Sequence, residues 1–322
     1  RRTDIRMVPS QTDGVLQKAA SMTPRERENA FRRARMDVLK LRTQLLRGTA
    51  GEITSLLKGA IEEIKTLLAS QPSDYQLWQL PQLKRTIEQT LAEVERGGAA
   101  ALSDGARQAF AAGQQLVDAP IDAGGIRIAA VLPELDIRQL TAMRTFMVDR
   151  IGDISSTTAR RIAGELGLVT IGAQSPGEAI GTIADLVEGG RTRAITIVRT
   201  EVGRAFSVAA DERMTQAAEI LPGLKKQWRR SGKIHSRLHH DSIDGQIRDV
   251  DKPFTLGNGV QIMFPRDPAA PVGETINCGC ESLTYMESWD VKNPGRVPFT
   301  DLELQLSQTK RDLHDAGFDV AA

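Results

Sequence analysis

The chain has few cysteines, few aromatic residues and no long apolar run. Only two of its 322 residues are cysteines, and Cys278 and Cys280 are too close in sequence to build the disulfide framework of a small secreted domain. No stretch approaches the roughly 20 consecutive apolar residues that a bilayer span requires. The first residues, Arg1-Arg2-Thr3-Asp4, lack the apolar core of a signal peptide. We therefore expect neither secretion nor a membrane partner.

Aromatic residues make up 4% of the chain, which is little for the core of an ordinary enzyme. Hydrophobic residues reach 40% and are mostly small or aliphatic, a composition typical of long helices with narrow contact faces. Thr23-Pro24 and Ser175-Pro176 are each followed by a glutamate two positions later, which predicts reciprocally capped helix starts. Helices are predicted over about 23–48, 52–70, 74–96, 99–118, 134–151, 155–166, 175–187 and 191–219, with breaks at glycine pairs.

After Gly223 the pattern changes, because segments shorten and glycines and prolines become frequent. Leu256-Gly257-Asn258-Gly259-Val260, between two β-prone runs, predicts a hairpin turn. The fold class that follows is a mainly α N-terminal region and a small α+β C-terminal module, in which a long helix packs on a short antiparallel sheet. The expected divisions are a flexible arm at 1–22, a helical region at 23–189, the α+β module at 190–290 and a tail with a helix at 291–322.

The module concentrates the residue types that bind metals. His235 and His239 lie four residues apart, so a helix would place both imidazoles on one face. Cys278 and Cys280 lie two apart, so a strand would place both thiols on one side. Two imidazoles and two thiolates suit tetrahedral Zn²⁺, which makes zinc the cofactor to expect if the segment binds a metal. The alternative is a pair of reduced, buried cysteines with locally hydrogen-bonded histidines, since Cys-x-Cys is a less usual zinc spacing.

Charged residues around the module allow two interpretations. A catalytic one would use His240 as a general base, Glu201 or Asp244 to orient it, and Arg237 as an anion clamp. However, the chain offers no nucleophile in a strained turn and no Gly-rich phosphate loop. The favoured interpretation assigns no catalytic residue and predicts a structural network of buried, mutually satisfied charges. Its expected members are Arg199, Glu201, Arg237, His240 and Asp244.

Positive charge is unevenly distributed along a chain whose net charge is only +1. Residues 1–50 carry twelve lysines and arginines against five acidic residues, and residues 225–240 carry six with no acid. Such surpluses indicate contact with phosphate or with an acidic protein face, the alternative being a solvated surface. Contact with double-stranded DNA would go through the backbone and would not read sequence. The candidate phosphate-binding residues are Lys225, Lys226, Arg229, Arg230 and Lys233.

Five motifs follow one another over about 190–285. They are Ile197–Val202 on a helix, Trp228, Arg237-x-x-His240-x-x-x-Asp244-Gly245, Pro265-Arg266-Asp267-Pro268 and Asn277-Cys278-Gly279-Cys280. In this order the motifs resemble the Mu-F-like phage head morphogenesis (minor capsid) family. That family usually has an arginine between the two cysteines, where this chain has Gly279, and an acidic residue in the turn after the tryptophan, where this chain has Ser231-Gly232-Lys233.

This resemblance implies a structural protein of a tailed-phage virion, placed near the portal vertex of the capsid and present in the host cytoplasm during assembly. Its implied partners are the portal protein, the major capsid or scaffold protein and packaged double-stranded DNA. Two alternatives stay open. One is a zinc-dependent hydrolase or nuclease centred on His240 and the Cys278/Cys280 pair. The other is a helical connector between capsid and tail parts.

Overall fold

A computed structural model of the protein describes residues 22–71, 80–171, 173–289 and 295–317. Long helices come first and a small antiparallel sheet follows, which confirms the predicted fold class. The predicted arm at 1–22 lies almost wholly outside the described residues, as does the start of the helix predicted from 74. The four long helices are α1 (Pro24–Ala69), α2 (Leu80–Ala123), α3 (Arg138–Thr170) and α4 (Pro176–Ala218).

The described residues form two compact units. The first contains residues 22–43, 109–136, 203–289 and 295–317, and the second contains 44–71, 80–108 and 137–202 apart from residue 172. The second unit is purely helical, and its core is built from apolar residues that recur at three- and four-residue spacing. These include Ile53, Leu57, Ile64, Leu83, Ile87, Leu91, Ile151, Ile154, Ile162, Ile183 and Val187.

The two capped helix starts were predicted correctly, whereas the starts predicted near 52, 99, 155 and 191 lie inside continuous helices. Thr23 and Ser175 each exchange hydrogen bonds with the glutamate three residues later, which confirms both capping boxes. In contrast, α1, α2 and α4 continue through the glycines that were expected to end helices. Gly113 shows one reason for glycine inside a helix, because a Cβ there would collide with the carbonyl oxygen of Phe206 on α4. Glycine at that position lets the two backbones approach closely.

The first unit contains a three-stranded antiparallel sheet with strand order β2-β1-β5. Strand β1 (Leu224–Arg229) is central, and it pairs with β2 (Ile247–Asp249) and with β5 (Glu281–Met286). A separate hairpin joins β3 (Phe254–Thr255) to β4 (Gln261–Ile262) around Gly259, whose φ of 84° suits only glycine well. The predicted hairpin turn is therefore confirmed.

A small apolar cluster lies beneath this sheet and hairpin. Trp228 is fully buried, and its ring meets Phe254 edge to face at a centroid distance of 5.3 Å. Two short helices contribute to the same region, α5 (Leu238–Asp241) and α6 (Val272–Thr275). The cluster consists of Trp228, Ile243, Phe254, Leu256, Ile262, Cys278 and Cys280. Both thiols therefore belong to the core of the module.

Buried ion pairs hold other segments of the first unit in place. Arg213 on α4 makes a two-pronged bond with Asp118 on α2, at 2.6 and 2.8 Å, and both side chains are about 98% buried. Residues 295–317 end in helices α7 (Asp301–Leu306) and α8 (Gln308–Asp315). Glu303 of α7 bonds Arg230 at 2.5 Å and Lys310 of α8 at 2.6 Å. No helix among the described residues is long and apolar enough to cross a membrane.

Candidate metal centre

The short helix α5 holds His240 with its ring inside the module. Arg237 precedes the first turn in an extended conformation, and the turn closes through a bond from the His240 amide to the Arg237 carbonyl at 3.0 Å. The indole nitrogen of Trp228 donates to the backbone oxygen of His240 at 3.0 Å, and the two rings meet edge to face at 5.5 Å. Backbone and ring of His240 are therefore both fixed, and the residue is 1% exposed.

Two thiols lie beside this imidazole. Asn277 adopts a left-handed conformation with φ of 53°, and the chain then passes through Cys278 and Cys280 into β5. His240 Nδ1 is 3.6 Å from the Cys278 sulfur and 3.8 Å from the Cys280 sulfur. All three ligand atoms lie within 4.8 Å of one another. This arrangement brings together a nitrogen and two sulfur ligands of the kind that zinc prefers.

The other nitrogen of the same ring bonds a carboxylate. His240 Nε2 is 2.8 Å from Glu274 Oε2, and His239 Nε2 approaches the same oxygen at 2.7 Å. Asn258 donates to the second carboxylate oxygen at 3.0 Å. A carboxylate on Nε2 favours the tautomer with its proton there, which leaves the Nδ1 lone pair directed at the thiols. His239, His240 and Glu274 form a second group of potential ligands, in which Glu274 bridges the histidines.

The electrostatics of the site favour one thiolate. A hydrogen bond from Cys280 lowers the pKa of Cys278 well below its usual value, and His240 and Arg266 add to this against the effect of burial. The same hydrogen bond raises the pKa of Cys280, as do burial and the charge of Cys278. Burial lowers the pKa of His240, but contacts with Cys278 and Glu274 outweigh it, so that the pKa is raised. Of the two thiols, Cys278 is therefore the one whose pKa favours ionisation.

Arg266 supports the thiols from the interior. The backbone of Arg266 has a φ of 70°, which is unusual for a residue other than glycine, and its side chain is fully buried. The guanidinium donates to the Cys278 carbonyl at 2.8 Å and to the carboxylate of Glu281 at 2.9 and 3.0 Å. It also reaches Ser207 of α4 at 2.5 Å. Arg42 of α1 bonds the same Glu281 at 2.5 Å, so two helices are tied to the start of β5.

A polar cavity of about 290 Å³ opens beside the cysteines. Its lining includes His235, Arg237 and Lys233 together with the His240, Cys278 and Cys280 group. The Lys233 amine donates to the backbone oxygen of Asn277, and a Cβ on Gly279 would press against the Lys233 side chain at 3.0 Å. Lys233 therefore places its amine beside Gly279, the residue between the two cysteines.

The predicted metal ligands are only partly brought together. Cys278 and Cys280 are adjacent, as expected from their spacing. The histidine beside them is His240, however, and His239 instead bonds Glu274. His235 is exposed and lines the cavity, and it belongs to neither group of clustered ligands among the described residues. Residues 238–241 form one short helical turn that does not extend back to 235, so the expected four-residue face is not formed.

The expected five-residue charge network is divided. Arg199 is exposed on α4, and Glu201 is buried in the same unit with Arg150 at 3.9 Å. Arg237 donates to the Ile276 carbonyl, and His240 faces the thiols. Asp244 accepts from the Arg229 guanidinium at 3.0 Å and the Arg230 amide at 2.9 Å. Buried polar networks are present, but they use other partners than those predicted.

The five candidate phosphate-binding residues are all engaged within the chain. Lys226 is fully buried against Asp211 and the Met263 carbonyl, and Arg230 is buried against Glu303. Lys225 pairs with Asp249 and Glu287, Arg229 pairs with Asp244, and Lys233 bonds Asn277. The distribution along the sequence suggested an uncompensated basic surface, whereas folding brings acids from distant segments to these cations.

The prediction from the sequence did not include three residues that are important to the site. These are Glu274, Glu281 and, in its bonding role, Arg266. Arg266 stood inside the quoted Pro-Arg-Asp-Pro motif, which was the available signal for it. Glu274 and Glu281 carry no distinguishing sequence pattern, since each is a single glutamate in a short segment. Their roles depend on the folding of α6 and β5 around His240 and Arg266.

Comparison with known proteins gives two partial similarities. No family model and no solved structure matches the chain. An uncharacterized protein of Bacillus subtilis, YqbB, is 38% identical over 110 residues, which are 33% of this chain and 35% of that protein. An Enterococcus faecalis protein named NAD(+)--arginine ADP-ribosyltransferase EFV is 31% identical over 105 residues, which are 33% of this chain and 21% of that protein. The chain thus covers about a third of one relative and about a fifth of the other, one of which is named as an enzyme.

Proposed function

We propose that this protein is a minor structural protein of a tailed-phage head, which acts in head morphogenesis and genome packaging or ejection by binding portal and coat or scaffold proteins. Its location would be the capsid near the portal vertex, after assembly in the host cytoplasm. The observation that carries this proposal is that motif residues between Trp228 and Cys280 bond to one another inside one module.

The bonds within the motif series are specific. The Trp228 indole donates to the His240 backbone, and the Gly245 amide donates to the Trp228 carbonyl at 2.9 Å. Arg266 donates to the Cys278 carbonyl. The motif residues hydrogen-bond to one another. This pattern favours a role in building a rigid module over a role in the turnover of a substrate.

The helical unit offers surfaces for protein partners. Large apolar side chains are exposed along and just beyond α3, where Phe146 is 49%, Leu168 is 41% and Ile171 is 75% exposed. At 3.6 residues per turn these three project within about 60° of one another. Exposed apolar residues on one helix face are typical of contact with a protein surface. We therefore assign portal or coat contact to the helical unit.

DNA contact through Lys225–Lys233 is not included in the proposed role. Each of the five cations in that stretch has an acidic or carbonyl partner within the chain, and two of them are buried. A phosphate would have to displace these partners before it could bind. Packaged DNA, if it is contacted, would meet other basic residues.

The test is incorporation into particles. The chain would be co-expressed with the portal, coat and scaffold proteins of the genome that encodes it, and purified heads would be analysed by quantitative mass spectrometry. We expect a few copies per head in the wild type. Leu168→Asp together with Ile171→Asp should reduce incorporation at least several-fold, because a charge cannot be buried at an apolar contact without a large cost.

The matched control is Lys58→Asp, which makes the same change of two charge units at an exposed position on α1 in the same unit, away from the α3 face. It should leave incorporation within about twofold of the wild type. Heads that contain none of the wild-type chain, under conditions in which the isolated protein is folded by circular dichroism, would contradict the proposed role.

A second candidate function is metal-dependent hydrolysis, and the cavity beside the cysteines is the observation that favours it. A bound metal there would have room for a water or substrate next to Arg237 and His235. Hydrolysis of nucleic acid or ester substrates by the zinc-loaded protein, lost in His240→Asn, would support it. ADP-ribosyl transfer is not proposed, because about four-fifths of the relative with that name lies outside the matched segment.

A further inference from the structure

We propose that His240, Cys278 and Cys280 bind one Zn²⁺ ion with three protein ligands, and that the fourth coordination position faces the cavity. The ligands would be His240 Nδ1 and the two cysteine sulfurs. This site is independent of the proposed role in phage heads, because it concerns the isolated chain.

The distances fit a tetrahedral ion. Zinc bonds of about 2.3 Å to sulfur and about 2.05 Å to nitrogen, at a tetrahedral angle, require a sulfur–nitrogen separation of about 3.6 Å. The two observed separations are 3.6 and 3.8 Å. The two sulfurs lie within 4.8 Å of one another, so the three atoms are close enough to bind one ion after a small adjustment of their side chains.

The surroundings of the ligands also fit. Zinc-bound histidines almost always donate their second ring N–H to a carboxylate or a carbonyl, and His240 Nε2 bonds Glu274 at 2.8 Å. Glu274 is itself held by Asn258. A dication with two thiolates and a neutral imidazole has no net charge, which suits burial against the apolar Trp228 cluster.

The fourth coordination position distinguishes this site from a structural zinc site with four protein ligands. Structural zinc sites usually have four protein ligands, whereas sites with three keep a water or substrate in the fourth place. The cavity that opens beside the cysteines is lined by Ser231, Ser236 and Arg237. His235 also lines it, but it is exposed and does not belong to the ligand group. We infer that a water molecule completes the coordination.

Metal content of the purified full-length protein is the first test. Elemental analysis should give about one zinc per chain, or one after incubation with zinc and removal of excess. Cys278→Ser, Cys280→Ser and His240→Asn should each weaken zinc affinity at least a hundredfold in competition with a chromogenic chelator. Glu274→Gln should weaken it about 10- to 100-fold, because it alters the partner of His240 without removing a ligand.

His314→Asn is the matched control, since His314 lies exposed on α8 and should keep the wild-type affinity. Folding of each variant would be checked by circular dichroism. If a variant does not fold, the ligands are instead identified in the wild type, which is treated with chelator and reloaded with cobalt. The cobalt form should show thiolate-to-metal charge-transfer absorption and the intense visible bands of tetrahedral coordination.

Two results would overturn the site as a whole. One is the absence of stoichiometric zinc or cobalt binding by the folded wild type. The other is full binding after both cysteines are replaced by serine. The open position is tested separately with His235→Ala and with azide. If His235→Ala abolishes binding, or if azide leaves the cobalt spectrum unchanged, the fourth ligand comes from the protein and the open position is wrong.

Discussion

Replacement of Arg266 by methionine would test whether the buried ion pairs hold the module together. The Arg266 side chain is fully buried, and its guanidinium bonds the Cys278 carbonyl, Ser207 and both oxygens of Glu281. Methionine fills much of the same volume without a charge. The change therefore removes these bonds while it leaves most of the packing intact.

The expected loss of folding stability depends on the bonds that Glu281 keeps after the substitution. Removal of one partner of a buried ion pair typically destabilises a protein by about 3–5 kcal/mol, because the other charge stays buried and uncompensated. Here Glu281 keeps its bond to Arg42 at 2.5 Å, so we expect a value near the lower end, about 3 kcal/mol. Arg266→Lys should lie between methionine and the wild type, because lysine keeps the charge but cannot make the same forked contacts.

Urea unfolding followed by tryptophan fluorescence measures this cost, since Trp228 lies in the same module. With a slope of about 2 kcal/mol per M, the midpoint for Arg266→Met should fall by about 1.5 M. The control is Arg193→Met, which breaks a pair with Asp153 whose side chains are both 52% exposed, and it should cost at most about 1 kcal/mol. A midpoint change for Arg266→Met no larger than for the control would refute the reasoning.

Three further substitutions probe other contacts. Asp118→Ala should destabilise the protein by about 3 kcal/mol in urea unfolding, because the buried Arg213 guanidinium loses its carboxylate and keeps only the Pro133 carbonyl and Gln216. Asp104→Ala, at an exposed helix pair, should cost under about 1 kcal/mol. Gly113→Ala should lower the thermal midpoint, because the new Cβ meets the backbone of the opposing helix, whereas an alanine at the uncrowded helix position Gly48 should stabilise by about 0.5–1 kcal/mol. A Gly113→Ala midpoint equal to that of the wild type would contradict the close approach. Burial raises the pKa of Glu303, but bonds from neighbouring cations lower it to about 2. The pKa in the unfolded chain is about 4.3. The Glu303 carboxylate therefore contributes fully to folding stability above about pH 4.3, and this contribution is lost as the pH falls toward 2. Glu303→Gln should therefore flatten the loss of stability between about pH 4.5 and pH 2, and an unchanged acid limb would show that the carboxylate is not held as described.

Local signals in the sequence predicted the two capped helix starts and the hairpin, because these depend on neighbouring residues. The capping box at Thr23 closes within four residues, and the turn at Gly259 needs one left-handed glycine. Helix ends at glycines could not be predicted in the same way. Gly113 is inside a helix because a second helix comes close to it, and that approach involves a residue about ninety positions away. Tertiary packing here overrides the weak helix propensity of glycine.

In the site, too, local features could be predicted and features that depend on tertiary packing could not. Cys278 and Cys280 were predicted to meet because alternation along an extended segment places them on one side. The choice between His239 and His240 depended on where the single turn of α5 begins, and no periodicity in the sequence specifies that. The cations at Lys226 and Arg230 looked like a basic surface, since their acidic partners lie in other segments of the chain. A charge count over a short window cannot include such partners.

Buried ion pairs in this module are better explained by positioning than by net stability. An ion pair in a protein interior often contributes little compared with apolar residues of similar size, since desolvation offsets the attraction. Yet several pairs join a helix to the sheet region, while Arg213–Asp118 and Lys310–Glu303 join helix to helix. Arg266 ties α4 to β5, and Arg230 ties α7 to the end of β1. With few aromatic residues available, charge pairing selects which segment docks where. A metal at the thiols would add one more such constraint, beside the cavity that opens next to Cys278 and Cys280.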